Sequence, residues 1–294
     1  MRLVVAERQT LTFPDGSPVR AASAIVSFGG GWLVVQDDST HAAWLHAGTI
    51  DPVRVVEPVD GLEVFSEVAG TKHLKPDFEA ACAVPVDGAE AALLLGSGSS
   101  PARMRSSLLR LDVAGAPYFE VSDLSEVYRA VAAAMGLAEE QLNLEGACVL
   151  GDTLRWFQRA NVAVGAPSVC ADVALTALLA GTAAIGPVRH YDLGRVRGVA
   201  LAITDAVPVG DGLVLVSAVA EDTPNAIDDG PVVAAALALL DDFGVRAVAE
   251  LPGAPKVEGL AVLEPAGDGV RVVAVVDADD PAAPSVQLKI RVSW

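Results

Sequence analysis

Lysine is scarce in this chain. Four occur in 294 residues, at 72, 75, 256 and 289. Lysine and arginine together supply 20 basic side chains against 38 acidic ones, a formal charge of −18. A chain so acidic repels phosphate backbones and offers no basic stripe, which argues against nucleic acid as a partner. Cysteines number three, at 82, 148 and 170, an odd count without close spacing. That excludes a disulfide framework and a cysteine zinc site, and each reads as a small buried hydrophobe. The four histidines (41, 46, 73, 190) show no HxxxH or HExxH spacing, although His73 lies where it could reach a site formed by the acids downstream of it. Aromatics are 5% of residues, leaving few platforms for stacking sugars and counting against a glycosidase. GxSxG, GxGxxG and Walker sequences are absent. No apolar run approaches the roughly 18 residues a membrane span needs. The N-terminal Met1 to Arg8 is charged before a secretory apolar region could form. A cytoplasmic, membrane-free monomer is the expectation.

What the chain has instead is a recurring acidic motif. Asn143-Leu144-Glu145-Gly146 returns as Lys256-Val257-Glu258-Gly259, more weakly as Asp77-Phe78-Glu79-Ala80, and as the echo Ile203-Thr204-Asp205-Ala206. After each copy comes a short apolar strand, a Gly/Asp turn, a second apolar strand and a polar cluster. Hydrophobic residues are 52% of the chain, enough for a sizeable core and too many for disorder.

Period-two segments separated by Gly, Asp or Pro signals divide the chain into units near 23–75, 76–140, 141–197, 198–254 and 255–294. Each of the first four reads as four short strands. The fifth is one strand short, and Arg2 to Leu11 is a strand-like segment belonging to no unit. A ring of sheets in which the N-terminal strand completes the last one accounts for both facts. The expected fold is therefore all-β, a single five-bladed β-propeller over 1–294, with residues 1–13 closing blade five. Six blades would require splitting a unit. Ser122 to Gly136, with its stripe Leu124, Val127, Val131 and Met135, predicts a helix inserted between blades two and three. Val173 to Ala180 and Val232 to Leu240 are Ala/Leu-rich and would suit helices. Their place in the third slot of regular units assigns them as strands.

In a propeller the first strands line the axis, and the loops after the second strands open on the face where those first strands begin. Glu79, Glu145, Asp205 and Glu258 would then share a mouth with Gln36-Asp37-Asp38, Ser97 to Ser100, Gln158-Arg159-Ala160-Asn161, Glu221-Asp222 and Asp277 to Asp280. Three outcomes stay open for so many acids. Glu79, Glu145, Asp205 and Glu258 could hold a hard cation, Ca²⁺ or Mg²⁺, through oxygen ligands. One glutamate could keep its proton and act as a general acid. Lys75, Lys256 and Arg159 could neutralise them as ion pairs. Arg159 offers the planar fork suited to an anion, and the glycines after Glu145 and Glu258 predict crowding near the axis.

Leu142 to Ala147, followed by Gly151-Asp152-Thr153-Leu154 and then by Arg159, resembles a known pattern. It is similar to uncharacterised bacterial β-propellers related to the esterase-like-activity-of-phytase and SdiA-regulated families, most clearly over 142–161 and again over 256–276. The resemblance implies a motif at the channel mouth, with calcium as a candidate ligand, and a role for Glu145 and Glu258.

The expected function is a hydrolase of a small ester, lactone or phosphoester assisted by a divalent cation. Glu145, Glu258 and Arg159 would be catalytic, with Lys75, Glu79, Asn161 and Lys256 contacting the ligand. The competing expectation is a non-catalytic propeller whose mouth binds a small polar ligand or a protein segment.

Overall fold

Alternating side chains in strands such as Leu93-Leu94-Leu95 face two different cores, and this decides the architecture. Leu93 and Leu95 pack toward one neighbouring sheet, while Leu94 packs toward the other. Val272 and Ala274 likewise face one side, and Val273 and Val275 the opposite one. A sheet buried on both faces needs a neighbour on each side. Arranging five such sheets radially gives every one of them two neighbours.

The computed structural model describes residues 1–161, 165–222, 230–278, 280 and 282–294. It begins with β1 (Arg2–Thr10). Blade one is β2 (Ala22–Phe28), β3 (Gly31–Gln36), β4 (His41–His46) and β5 (Thr49–Arg54). Blade two is β6 (Phe78–Val86), β7 (Ala89–Gly96), β8 (Arg105–Leu111) and β9 (Pro117–Asp123), followed by helix α1 (Ser125–Met135). Blade three is β10 (Leu144–Leu150), β11 (Thr153–Gln158), β12 (Val169–Ala174) and, after the short helix α2 (Leu175–Leu179), β13 (Ile185–His190). A small hairpin, β14 (Arg195–Val196) and β15 (Val199–Ala200), leads to blade four: β16 (Ala202–Gly210), β17 (Leu213–Glu221), β18 (Val232–Asp241) and β19 (Gly244–Glu250). Blade five is β20 (Val257–Ala266), β21 (Gly269–Val276), β22 (Val286–Ser293) and then β1, antiparallel to β22 from Arg2↔Ser293 to Thr10↔Val286. The inner strands β2, β6, β10, β16 and β20 neighbour one another in a closed ring. The fold is a five-bladed β-propeller closed by its N-terminal strand.

Local chemistry sets these hairpins. Asp87-Gly88 and Asp211-Gly212 both place two successive residues at positive φ, the turn that matches the twist of paired strands and favours Asp-Gly. Helix α1 buries Val127, Tyr128, Val131 and Met135 between blades two and three, and ends on Gly136 at φ +71°. It starts at Ser125, three residues later than the expected Ser122. β9 runs through Ser122, and Asp123 instead accepts the Ser125 N–H at 2.8 Å. Val232–Asp241 is a strand. Val173 to Ala180 is not a continuous one. After Ala174 the chain turns into α2, where Leu175 and Leu178 reach the core as a helical pair and high helix propensity prevails. Among the described residues no helix is long and apolar enough to cross a membrane.

Candidate functional site at the mouth of the channel

Each inner strand carries a β-bulge near its start, and the bulge selects what faces the mouth. The residue skipped by the pairing with the second strand is Ser23, Glu79, Glu145, Thr204 and Glu258 in blades one to five. A bulge re-aims the extra side chain out of the ladder, which is how three glutamates come to face one cavity. Blades one and four carry hydroxyls there instead. Ser23 Oγ donates to the Phe78 carbonyl and Thr204 Oγ1 to the Val257 carbonyl, each at 2.6 Å, tying those blades to the residue just before the next blade's glutamate.

Asp205 follows its bulge by one position and has a different fate. It is 1% exposed and does not line the cavity. The Leu260 N–H of the neighbouring inner strand donates to its Oδ2 at 2.6 Å, and its Oδ1 has no partner among the described residues. Burial raises its pKa well above the carboxylate range, with the Leu260 N–H pulling the other way. Gly146 and Gly259 occupy the equivalent position in their blades. A Cβ at Gly259 would meet Ile25 N at 2.7 Å and the Ala24 carbonyl carbon at 2.8 Å, and one at Gly146 would meet the Asp205 backbone at 3.0 Å. The axial crowding expected of these glycines is therefore present.

The cavity holds about 1170 Å³. Its walls include Lys75, Glu79, Glu145, Arg159, Asn161, Lys256 and Glu258, and His73 also reaches it. The structure thus gathers every ligand-contacting and catalytic candidate of the sequence reading. Of the expected metal quartet it gathers the glutamates without Asp205. Asp279, in the polar cluster of blade five, lies outside the described residues, while Asp277 lines the wall.

Two charge networks organise this wall. In the first, Lys75 is 13% exposed and its Nζ is bound by Asp37, by Asp77 Oδ1 at 2.5 Å and by Glu79 Oε1 at 3.7 Å. Arg103 reaches Asp77 Oδ2 at 3.0 Å, and Ser97 donates to the same oxygen. Burial works against the Lys75 ammonium, yet Asp37, Asp77 and Glu79 hold its pKa well above the usual value. Burial alone would raise the Asp77 carboxyl, but Lys75 and Arg103 bring it below the usual range. Glu79 is the opposite case. Burial, Asp37 and Asp77 raise it well above the carboxylate range, and its ammonium contact is too long to offset them.

In the second network both oxygens of Glu145 accept from Arg159 Nη1, at 2.8 and 2.9 Å, and Asn143 Nδ2 donates to Oε1 at 2.7 Å. Arg159 Nη2 donates to Glu221 Oε2 at 2.5 Å. Lys256 Nζ lies 3.5 Å from Glu221 and 3.4 Å from Glu258. Burial pushes Glu145 up to about 8 against the pull of Arg159, with Glu258 adding to the rise. Glu258 is also raised, by burial, with Lys256 and Arg159 opposing.

Asp37, Asp77, Arg103 and Glu221 are as much part of the site as the motif glutamates. Asp77 was legible: it stands two residues before Glu79, as Asn143 and Lys256 stand before Glu145 and Glu258. Asp37 and Glu221 belong to the second-strand clusters. Arg103 carries no motif, and a loop fold brings it in.

The state of Glu79 has a measurable consequence. An acid whose folded pKa is raised adds stability below its unfolded pKa, and that contribution is lost as pH rises through the folded value. Glu79→Gln removes the penalty. At pH 8 this variant melts about 2–4 °C above the wild type, the shift that ~1 kcal/mol produces in a domain approaching this size, and the gap closes below about pH 4. Circular-dichroism melts from pH 4 to 9 check it. An equal loss of stability at every pH would mean that Glu79 is ionised and held by Lys75.

A family model described as a family of unknown function, DUF6910, matches residues 71–281. The chain belongs to this family. No curated protein matches it. The crystal structure of Myxococcus xanthus glutaminyl cyclase is similar over 99% of this chain and 96% of its own, with 12% identity and a TM-score of 0.51. The pyrroloquinoline-quinone-bound aldose sugar dehydrogenase of Streptomyces coelicolor covers 99% and 98% at 10% identity and a TM-score of 0.49. An exo-1,5-α-L-arabinanase from a bovine ruminal metagenomic library covers 95% of both chains at 10% identity and a TM-score of 0.49. At these identities a likeness speaks only to the fold.

Proposed function

We propose that this member of the family is a hydrolase of a small ester or lactone, with its active site in the channel mouth. The observation that carries the reading is Glu79. Its carboxyl faces the cavity from a bulge, beside Asp37 and Asp77, which Lys75 binds closely, while its own contact with the Lys75 ammonium is 3.7 Å long. A protonated carboxyl next to an ionised one is the pairing that general acid–base chemistry needs near neutral pH. Glu79 donates its proton to the departing alkoxide, and Asp37 takes a proton from the attacking water, so that acid and alcohol leave. Glu145, Arg159, Lys256 and Glu258 hold one another in the second network and act as the fixed polar wall that orients the substrate, with Asn161 on its rim. The resemblance of residues 142–161 to the esterase-like-activity-of-phytase and SdiA-regulated propellers runs in the same direction. A phosphoester suits the site less well, because its charge would meet a surplus of carboxylates.

Carboxylate oxygens of Asp37, Asp77 and Glu79 lie within 4.8 Å of one another, an all-oxygen set of the kind Ca²⁺ or Mg²⁺ prefers. The Lys75 ammonium already stands among them, so a metal fits only if Lys75 withdraws, and no step is assigned to one.

A screen of short-chain esters, lactones and phosphoesters tests the proposal, run on wild type and Glu79→Gln with Ca²⁺, Mg²⁺, Mn²⁺ or EDTA. Ester or lactone turnover that falls about 100-fold or more in the variant and ignores chelation is the expected result. Turnover that survives in Glu79→Gln removes the proposed acid. Absence of turnover across the screen would leave a binding module.

A further inference from the structure

The three bulge glutamates of the mouth meet their cations at two different distances. Glu145 accepts from Arg159 at 2.8 and 2.9 Å, a closed ion pair. Glu79 stops 3.7 Å from the Lys75 ammonium, and Glu258 stops 3.4 Å from that of Lys256. An ammonium–carboxylate pair free to relax closes to about 2.8 Å. Lysine has a long flexible stem, so reach does not account for the gap. Competition does not account for it either. Asp37 and Asp77 hold Lys75 closely, but Glu258 shows the same gap beside a lysine to which Glu221 stands no nearer, at 3.5 Å.

What separates the two sets is the preceding blade. Glu79 and Glu258 follow blades whose bulge residue carries a hydroxyl, Ser23 and Thr204, whereas Glu145 follows a blade whose bulge residue is Glu79. Ser23 Oγ donates to the Phe78 carbonyl and Thr204 Oγ1 to the Val257 carbonyl, both at 2.6 Å. Each of these carbonyls belongs to the rigid peptide plane that leads into the glutamate. Holding that plane fixes the direction in which the glutamate side chain leaves the strand, where the bulge has released it from the ladder. Ser23 and Thr204 are 5% and 1% exposed, so water does not take over the bond when the hydroxyl is removed. Blade four adds a second hold: Asp205 Oδ2 accepts the Leu260 N–H at 2.6 Å, and the backbone is gripped on both sides of Glu258.

We propose that Ser23 and Thr204 are positioning residues of the mouth, each holding the next blade's bulge so that its glutamate is aimed into the cavity and kept from closing on the neighbouring lysine. For Glu79 the restraint preserves a proton-bearing carboxyl. Burial raises its pKa, Asp37, Asp77 and Glu145 add to the rise, and a closed contact with Lys75 would pull it down. Only this catalytic consequence rests on the hydrolase reading above; the restraint itself does not.

Crystal structures and steady-state kinetics of wild type, Ser23→Ala and Ser23→Thr test the assignment. In Ser23→Ala the Glu79 carboxylate closes on Lys75 Nζ to about 2.8 Å. Ester or lactone turnover then falls about 10–100-fold in kcat with KM nearly unchanged, the scale set by a misplacement of an ångström. Ser23→Thr, which brings in the hydroxyl that blade four already uses, keeps both the wild-type distance and the wild-type rate. Thr204→Val closes Glu258 on Lys256 in the same manner, and Thr204→Ser leaves it open. The assignment is overturned by a wild-type Glu79 already closed on Lys75, by a Glu79 that stays in place in Ser23→Ala, or by one displaced as far in Ser23→Thr. Should the carboxylate close as stated while wild type hydrolyses no ester or lactone, the positioning role stands and the hydrolase reading falls.

Discussion

Replacing Arg159 by alanine lowers the melting temperature by about 6 °C. This side chain supplies both hydrogen bonds to Glu145 from one nitrogen and a third to Glu221 from the other, while remaining 16% exposed. Removing it takes the guanidinium from two buried carboxylates, whose other donors include Asn143 and the more distant Lys256. Breaking a buried pair by deleting one partner costs about 3–5 kcal/mol. The lower end applies to a pair at a cavity edge, and ~3 kcal/mol corresponds to the stated shift in a chain of this size. The loss shrinks as pH falls, because Glu145 and Glu258 have raised pKa values and take up protons readily once the guanidinium is gone. Adding Glu145→Gln to Arg159→Ala recovers part of the stability. Calorimetry of the three variants between pH 5 and 8 decides the matter, and a melting temperature unchanged in Arg159→Ala would refute the network as drawn.

A larger effect follows from removing β1. Blade five supplies three strands of its own, and residues 2–10 give the fourth through the ladder with β22. Leu288, Ile290 and Val292 of β22 are at most 3% exposed. Deleting residues 1–10 uncovers that edge and removes the hydrogen-bonded closure of the ring. With each ladder hydrogen bond worth about 1 kcal/mol net, the cost is on the order of 5 kcal/mol, near the whole stability of a typical domain. The truncated chain is expected to be insoluble or to form higher oligomers through its free strand edge. A synthetic peptide of residues 1–11 added in trans should restore a monomeric peak in size exclusion. If the truncated protein stays monomeric and melts within 2 °C of the parent, β1 does not close the ring.

The motif acids show how far the sequence could be read. Glu79, Glu145 and Glu258 were recognisable because a bulge acid followed by a small residue recurs at the start of a strand, and all three face the cavity. Asp205 was aligned with them by spacing and similarity of charge, yet Thr204 occupies the bulge. Period-two structure makes a one-residue offset decisive, since it sends a side chain from the mouth into the packed axis. Helix α2 was missed for a related reason: the third slot of a blade forecasts a strand, but nothing local says how soon that strand stops.

By itself the sequence determined the blade count, the borrowed closing strand, the hairpin turns and the presence of repeated acids, because each depends on short-range alternation, turn residues and local periodicity. Only the tertiary structure decided which cation neutralises which acid. Lys75 meets Asp37 from blade one, and Arg159 of blade three meets Glu221 of blade four. Such pairings form when radial closure brings loops of adjacent blades together, and that is a matter of distance in space which strand patterning does not encode.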